Sequence, residues 1–491
     1  MNLITIPWTP ERRRVLVGLQ QHRLMRSLQT FAGRAGGIVL YVVGGTIRDL
    51  CLARDVQDID VALAGDVMAF ARAFANAHGA AYVPLDAQRG EARVVYRRRD
   101  SIDFARLRGH DIAADLRQRD FTINALACPL ATLLTTREPA FIDPCGGWPD
   151  LQAHLIRMVG PQSFEDDPLR LLRAFRLAAA LEFVLEPNTQ EAMPPTVPRL
   201  AAVAAERIQN ELLKLFAARH SSPQLIAMAC LGVLAVLFPE LATRSISQGG
   251  ASSEDAVGHA LRTYQAVEDL INTPPADVPS IAVAMAHYVR IDERAALLKW
   301  AALLHGLGPP QVPQAATPPP PLCPSDAAAA AAVWEQVAGR LKLSRARTQY
   351  VKRLIAHYRR PFALVALERQ AGLTLRIVHQ WFKELGEDVL GAFMLAIGEA
   401  RASQHPEMPG DDVRSLAQLA AHLWEIYGAR IRPVLQGPRL LTGDDLQRLF
   451  GLSPGPSFTT LLDELEVAHV EGRVRTRDEA LRWMEQRLAT S

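Results

Sequence analysis

The chain has 491 residues, of which 49% are hydrophobic and 22% charged, and its formal net charge is +2. This is an ordinary globular balance, long enough for about three or four domains or subdomains without a core borrowed from a partner. The near-neutral charge neither demands nor excludes a nucleic-acid ligand, which would need a local basic surface. Five widely spaced cysteines (Cys51, Cys128, Cys145, Cys230, Cys323) include no CxxC pair. They support neither a disulfide framework nor a cysteine zinc site, and point to a reducing compartment. The opening MNLITIPWTPERRR lacks an apolar core of signal-peptide length, and no run of about 18 uncharged apolar residues occurs elsewhere. A soluble, cytoplasmic protein with no membrane partner is expected.

Residues 1–35 read as an N-terminal helical extension. From Val39 to about Ala127, short β-branched runs (IVLYVV, DIDVAL, ARVVY, SIDFA) alternate with helical stretches such as Val67–Gly79, the pattern of a small α/β or α+β domain. Its first strand runs into Gly44 and Gly45, where the backbone can turn sharply and a phosphate can approach the amides of the next helix. Arg48, one turn later, would add a cation; a simple tight turn is the alternative. Asp58 and Asp60 follow at strand spacing, so both carboxylates project from one face while Ile59 and Val61 enter the core. Two like charges so close call for a cation unless they lie on a solvated strand face. An oxygen-only donor set suits Mg²⁺ or Mn²⁺. Asp103, in the later run SIDFAR, is a third carboxylate that an adjacent strand would bring beside them. Three converging carboxylates near a glycine turn describe a two-metal nucleotidyl-transfer site.

From about Glu165 the strands largely stop and amphipathic helices rich in Ala, Leu and Arg take over, beginning with DPLRLLRAFRLAAAL. Residues 308–333 combine prolines with an alanine tract and read as an exposed loop leading into a helix. Arg340, Lys342, Arg345, Arg347, Lys352, Arg353, Arg359 and Arg360 form the best candidate RNA-backbone surface, with a solvated helix face as the alternative. No internal repeat is apparent.

Five motifs in order, VVGGTIRD with DID, DLRQRDFTINALA, FIDPCGGWPDLQAHLIRMVG, FEDDPLRLLRAFRLAA and ERIQNELLKL, resemble the class II tRNA nucleotidyltransferases, or CCA-adding enzymes, and their relatives the bacterial poly(A) polymerases. The resemblance covers about Val39–Leu215. It implies an α+β fold: a polymerase-β-like nucleotidyltransferase head on a mixed sheet, followed by an all-helical neck, body and tail. The expected segments are a head at 36–160, a neck at 161–220, an HD-like body at 221–370 and a tRNA-binding tail at 371–491. Carried over by the resemblance, Asp58 and Asp60 hold the metals; Asp103 is a further catalytic carboxylate on the strand pattern alone. Gly44, Gly45 and Arg48 then bind the triphosphate, and Arg119, Asp120 and Asn124 read the ribose. Gln118 stands where the family usually has a second arginine. Asp167 and Arg170 match the pair that reads the Watson–Crick edge of the incoming base, and the i, i+3 spacing predicts one helix face for both. Arg173 and Arg176 continue that series toward the nucleotide. RDFTINAL also reads as a helix start with an Asp or Thr cap.

Further on, AVGHALRTYQAVEDL, KWAALLHGLGPP and RLIAHYRRP resemble an HD domain. Gly306 follows His305 where an HD phosphohydrolase needs Asp, so the module is expected to keep its fold without hydrolysis, with His259, His305 and His357 as core or surface residues. The implied reaction is addition of CCA, or part of it, to tRNA 3′ ends from CTP and ATP. The segment RLRGHDIAAD (106–115) is short, which in the family accompanies CC-adding relatives. CC-adding or A-adding activity is therefore the second reading, with poly(A) polymerase and then HD phosphohydrolase behind. The sequence carries no signal for an oligomeric state.

Overall fold

The computed structural model describes residues 2–56, 58–96, 100–243, 253–307, 324–403, 411–453 and 455–489. The proline-rich stretch expected to be a loop lies outside the described residues over 308–323, and its alanine tract opens the helix Pro324–Arg340.

Eight strands build the sheet of the N-terminal half: β1 (Leu3–Ile4), β2 (Leu40–Val43), β3 (Asp58–Leu63), β4 (Ala81–Asp86), β5 (Glu91–Tyr96), β6 (Asp100–Arg106), β7 (Ala127–Pro129) and β8 (Phe141–Ile142). Their order is β1-β8-β7-β2-β3-β6-β5-β4. Only β3 and β6 run parallel, so the sheet is mixed. A parallel pair needs a crossover, supplied here by the helix Val67–His78 and the β4–β5 hairpin. Asp66 caps that helix through the Ala69 N–H, and Gly79 ends it at φ +60°. Phe70 and Phe74 of this helix meet Phe104 of β6 edge-on at 5.9 and 6.0 Å. The apolar side of β3 and β6 (Ile59, Val61, Ile102, Phe104) is thereby buried, leaving the opposite side to the aspartates.

The N-terminal extension is not wholly helical. Its helices Pro10–Gln21 and Arg23–Arg34 pack on the head, where Phe31 meets Phe70 and Phe74, but Leu3–Ile4 also adds an edge strand to the sheet beside β8. Two short strands, β9 (Leu155–Ile156) and β10 (Val184–Leu185), pair in parallel, and no strand follows Leu185 among the described residues.

The chain divides into two compact units, residues 1–211 with 230–236, and residues 212–229 with 237–491. The second is helical and centres on buried aromatic residues, including Phe216, Tyr264, Trp300 and Trp334. Its last three helices, Gly443–Phe450, Pro456–Val470 and Arg477–Ala489, share a small core of Leu446, Leu461, Leu465 and Met484. No helix among the described residues is long and apolar enough to cross a membrane.

Candidate functional site

Residues opposite one another in a parallel pair face the same side of the sheet. Asp60 of β3 stands opposite Asp103 of β6, and Asp58 stands opposite Ser101. The three carboxylates therefore share one face, as the spacing predicts. Asp58 is exposed and takes a 2.7 Å hydrogen bond from the Ser101 hydroxyl, while Asp60 and Asp103 are partly buried. Burial and then the neighbouring Asp103 charge push the Asp60 carboxyl up to about 6; Arg119, Arg48 and the Gly45 N–H act in the opposite direction. A carboxylate under that strain favours a bound cation. The all-oxygen donors of Asp58 and Asp60 fit a hard divalent ion.

Sequence reasoning missed Arg93. It lies opposite Asp103 in the β5–β6 register and binds it bidentately, with Nε and Nη2 each 2.7 Å from a carboxylate oxygen. Alternation in ARVVY places Arg93 on the polar face, but its partner depends on the register.

Strand β2 passes directly into the helix Gly44–Cys51. Gly44 has φ +63°, and a Cβ there would lie 3.1 Å from Arg119 Nη1 and 3.3 Å from Asp60 Oδ2. The turn thus needs glycine both for its backbone and for the close approach. The Gly45 N–H donates to Asp60 Oδ2 at 3.0 Å. Buried Thr46, also missed from sequence, locks the turn to β3 by accepting from the Asp60 N–H at 2.8 Å and donating to the Asp58 carbonyl at 3.2 Å. Arg48 donates from Nη1 to Asn124 Oδ1 at 2.8 Å, joining the glycine helix to the segment QRDFTIN.

That segment is a single 3₁₀ turn, Thr122–Asn124, rather than a helix with an Asp or Thr cap. The Thr122 hydroxyl instead donates to Asp150 at 2.6 Å. Asn124 donates to Asp120 Oδ1 at 3.1 Å, and the Phe121 N–H reaches the same oxygen. The other oxygen, Oδ2, receives Arg173 Nε at 2.9 Å and Nη2 at 2.8 Å. Although burial alone would raise it, the Arg173 guanidinium and the Asn124 amide hold the Asp120 carboxyl well below the usual range. Arg119 is fixed by buried Asp115, which accepts from both its Nε and its Nη2.

The expectation that Asp167 and Arg170 share a helix face does not hold. The short helix Ser163–Asp166 stops, Asp167 is extended at φ −152°, ψ 102°, and a new helix runs Arg170–Leu181. Pro168 is the cause, because a residue before proline is driven out of the α region. Asp167 accepts from Arg207 Nη2 at 2.6 Å and lies 3.8 Å from Arg89. Arg170 is 7% exposed and donates to the carbonyls of Gln118 and Ser163 at 2.9 and 3.1 Å. Arg173 and Arg176, expected to continue the series toward the nucleotide, are instead held by acidic side chains. Arg176 binds Glu211 at 2.5 Å, and Arg173 bridges Asp120 toward the same glutamate. Glu211, 7% exposed in the run ERIQNELLKL, was the missing acid.

In the second unit most of the proposed basic surface is paired internally. Arg340, Arg347, Lys352, Arg353 and Arg360 meet Glu240, Glu293, Glu335, Asp388 and Glu384 respectively. Their charges are largely compensated before any phosphate arrives, which weakens the case for an RNA track there. His357 lies beside Glu384, whereas His259 and His305 both meet Glu399. His305 is buried, as expected of a core residue, and His259 is partly buried beside the same glutamate.

Comparison with known proteins agrees with this geometry. Residues 40–157 match the family described as the Poly A polymerase head domain, and residues 182–244 match the probable RNA and SrmB-binding site of polymerase A. The CC-adding tRNA nucleotidyltransferase of Geobacter sulfurreducens is 32% identical over 470 residues, covering 95% of this chain and 96% of that protein. The A-adding tRNA nucleotidyltransferase of Deinococcus radiodurans is 30% identical over 462 residues, covering 91% and 95%. In fold the chain is similar to the Thermotoga maritima CCA-adding enzyme solved with tRNA, at a TM-score of 0.60 and 21% identity over 97% of this chain and 99% of that one.

Proposed function

The chain belongs to the class II tRNA nucleotidyltransferase family, and from that premise we propose that it extends tRNA 3′ ends with CCA, or part of it, from CTP and ATP without a nucleic-acid template. The observation that carries this reading is the Asp60–Asp103 register, which with Asp58 sets three carboxylates on one sheet face beside the Gly44–Gly45 turn. Segments 36–160 as palm, 161–220 as neck, and the body and tail as the tRNA-holding part keep the meaning that the family gives them.

In this reading Asp58 and Asp60 hold divalent cations, Mg²⁺ or Mn²⁺, whose chemistry is to acidify the attacking hydroxyl and neutralise the triphosphate. Asp103 lines the same face, where the tRNA 3′-hydroxyl attacks the α-phosphate and pyrophosphate leaves. The amides at the start of the Gly44–Cys51 helix and the Arg48 guanidinium meet the phosphates. Arg119 projects toward the same turn. Asn124, oriented by Arg48 and Asp120, presents its amide to the ribose. Asp120 acts mainly by fixing Asn124 and Arg173.

For base selection, Asp167 accepts from the exocyclic amine of cytosine or adenine. Uracil and guanine offer a carbonyl there and are rejected. Arg207 orients Asp167. For Arg170 to reach a base it must exchange its carbonyl partners, so in its present position it braces the 118–119 backbone.

The test offers purified protein tRNAs ending before CCA, after C and after CC, with each NTP in turn. Extension of at least one of these ends by C or A, with no use of UTP or GTP, is the expected pattern. An enzyme that adds long A tracts to any RNA, or none to tRNA, would contradict the reading.

A further inference from the structure

Outside the head, three helices of the second unit aim ligand atoms at one point. His259 lies on the helix Ser253–Asn272, His305 directly follows the helix Arg294–Leu304, and Glu399 lies on the helix Val389–Ala402. Their ligand atoms all fall within 4.8 Å of one another. Glu399 Oε2 is 2.9 Å from His259 Nε2 and 2.7 Å from His305 Nε2, with the Thr263 hydroxyl at 3.3 Å. The approach depends on Gly398, where a Cβ would collide with Val267 Cγ2 at 2.4 Å. Glycine thus lets this helix come close enough to the Ser253–Asn272 helix to deliver Glu399.

The tautomer of His305 is decided by its other nitrogen. Nδ1 lies 2.8 Å from the Ala302 carbonyl oxygen, which can only accept, so Nδ1 carries the proton. In the neutral ring Nε2 then bears a lone pair and faces an anionic oxygen, while His259 Nε2 faces the same oxygen. Such an arrangement requires a cation between them, either a proton on a ring or a metal. A backbone carbonyl that fixes the imidazole from behind is the usual outer contact of a metal-binding histidine. His305 is 3% exposed, and His259 and Glu399 are partly buried.

We propose that His259, His305 and Glu399 form a second metal site, separate from the head carboxylates, that takes a borderline transition ion such as Zn²⁺ or Co²⁺ and clamps three helices. Two imidazoles and one carboxylate suit such ions better than Mg²⁺. Bonds of about 2.0–2.1 Å place tetrahedral ligands roughly 3.3 Å apart, so loading needs the two glutamate–histidine contacts to open by roughly half an ångström. The fourth position falls to water. With Gly306 in place of a carboxylate ligand, the site holds structure and does not hydrolyse phosphate esters.

The test uses the full chain carrying Asp58→Asn and Asp60→Asn, which removes the head ligands. After chelation and dialysis it is titrated with Zn²⁺ and with Co²⁺ alone. One equivalent of each is expected to bind, with a rise in Tm. Co²⁺ should give visible ligand-field bands stronger than an all-oxygen site produces. Adding His259→Gln or Glu399→Gln should weaken binding at least about tenfold and remove the Tm rise. If either variant loses its fold, the parent spectrum decides alone. No bound equivalent in the parent, weak bands of all-oxygen type, or folded variants that bind as tightly as the parent would overturn the proposal and leave a proton-bridged cluster.

Discussion

Asp60 sits where burial and the Asp103 charge oppose its ionisation, so its carboxyl rises from the ordinary 3.8 to about 6. A raised acid binds its proton more tightly in the folded state. Its protonation therefore favours the fold below about pH 4, and that contribution is lost as the pH climbs through 6. Metal affinity runs the other way, because only the carboxylate binds. Mg²⁺ affinity should be level above about pH 6 and fall about tenfold per unit below it. Calorimetric titration across that range checks this, and a pH-independent affinity would remove Asp60 from the ligand set. A second prediction concerns Asp120, whose charge is buried against Arg173. Arg173→Met leaves it without that partner and should cost about 3 kcal/mol in denaturant unfolding. The aspartates were legible in sequence because strand alternation alone puts Asp58 and Asp60 on one face. Arg93 and Glu211 were not, because each meets its partner through strand register or helix packing.

At the scale of elements, two turns decide the site. Gly44→Ala places a side chain at φ +63° against Arg119 and Asp60, which should cost about 1–2 kcal/mol in backbone strain. It should also lower kcat by displacing the carboxylate, and steady-state kinetics with equilibrium unfolding separate the two effects. Pro168 forces the break that turns Asp167 out of helical register with Arg170. Pro168→Ala relaxes this restriction, lets the short helix Ser163–Asp166 join the helix Arg170–Leu181 and moves Asp167 away from Arg207. The expected result is a lower preference for CTP and ATP over UTP and GTP with an unchanged Mg²⁺ requirement, read by single-nucleotide incorporation. The strands DIDVAL and SIDFAR were legible from their pattern. The single-helix reading of EDDPLR failed because i, i+3 spacing was weighed without the proline inside it.

At the scale of the whole molecule, the residues up to Glu211 fall in one compact unit, and the helical remainder falls mainly in another. The change from strands to helices near Glu165 was visible in composition, whereas this division lies later, inside the Ala205–Ala217 helix. No break in periodicity marks it. Ion pairing within the basic run 340–360 was not legible for a related reason: sequence displays the cations, but the acidic partners of Arg340, Arg347, Lys352, Arg353 and Arg360 come from elsewhere in the chain. The head chemistry requires a divalent ion, so EDTA should stop nucleotide incorporation and Mg²⁺ should restore it. The central claim, that Asp58 and Asp60 serve nucleotidyl transfer to tRNA, is tested most directly by Asp60→Ala. With labelled CTP and ATP and tRNA lacking all or part of its CCA end, the unaltered protein should extend the 3′ end. The variant should bind the same tRNA and add nothing; full extension by the variant would contradict the account.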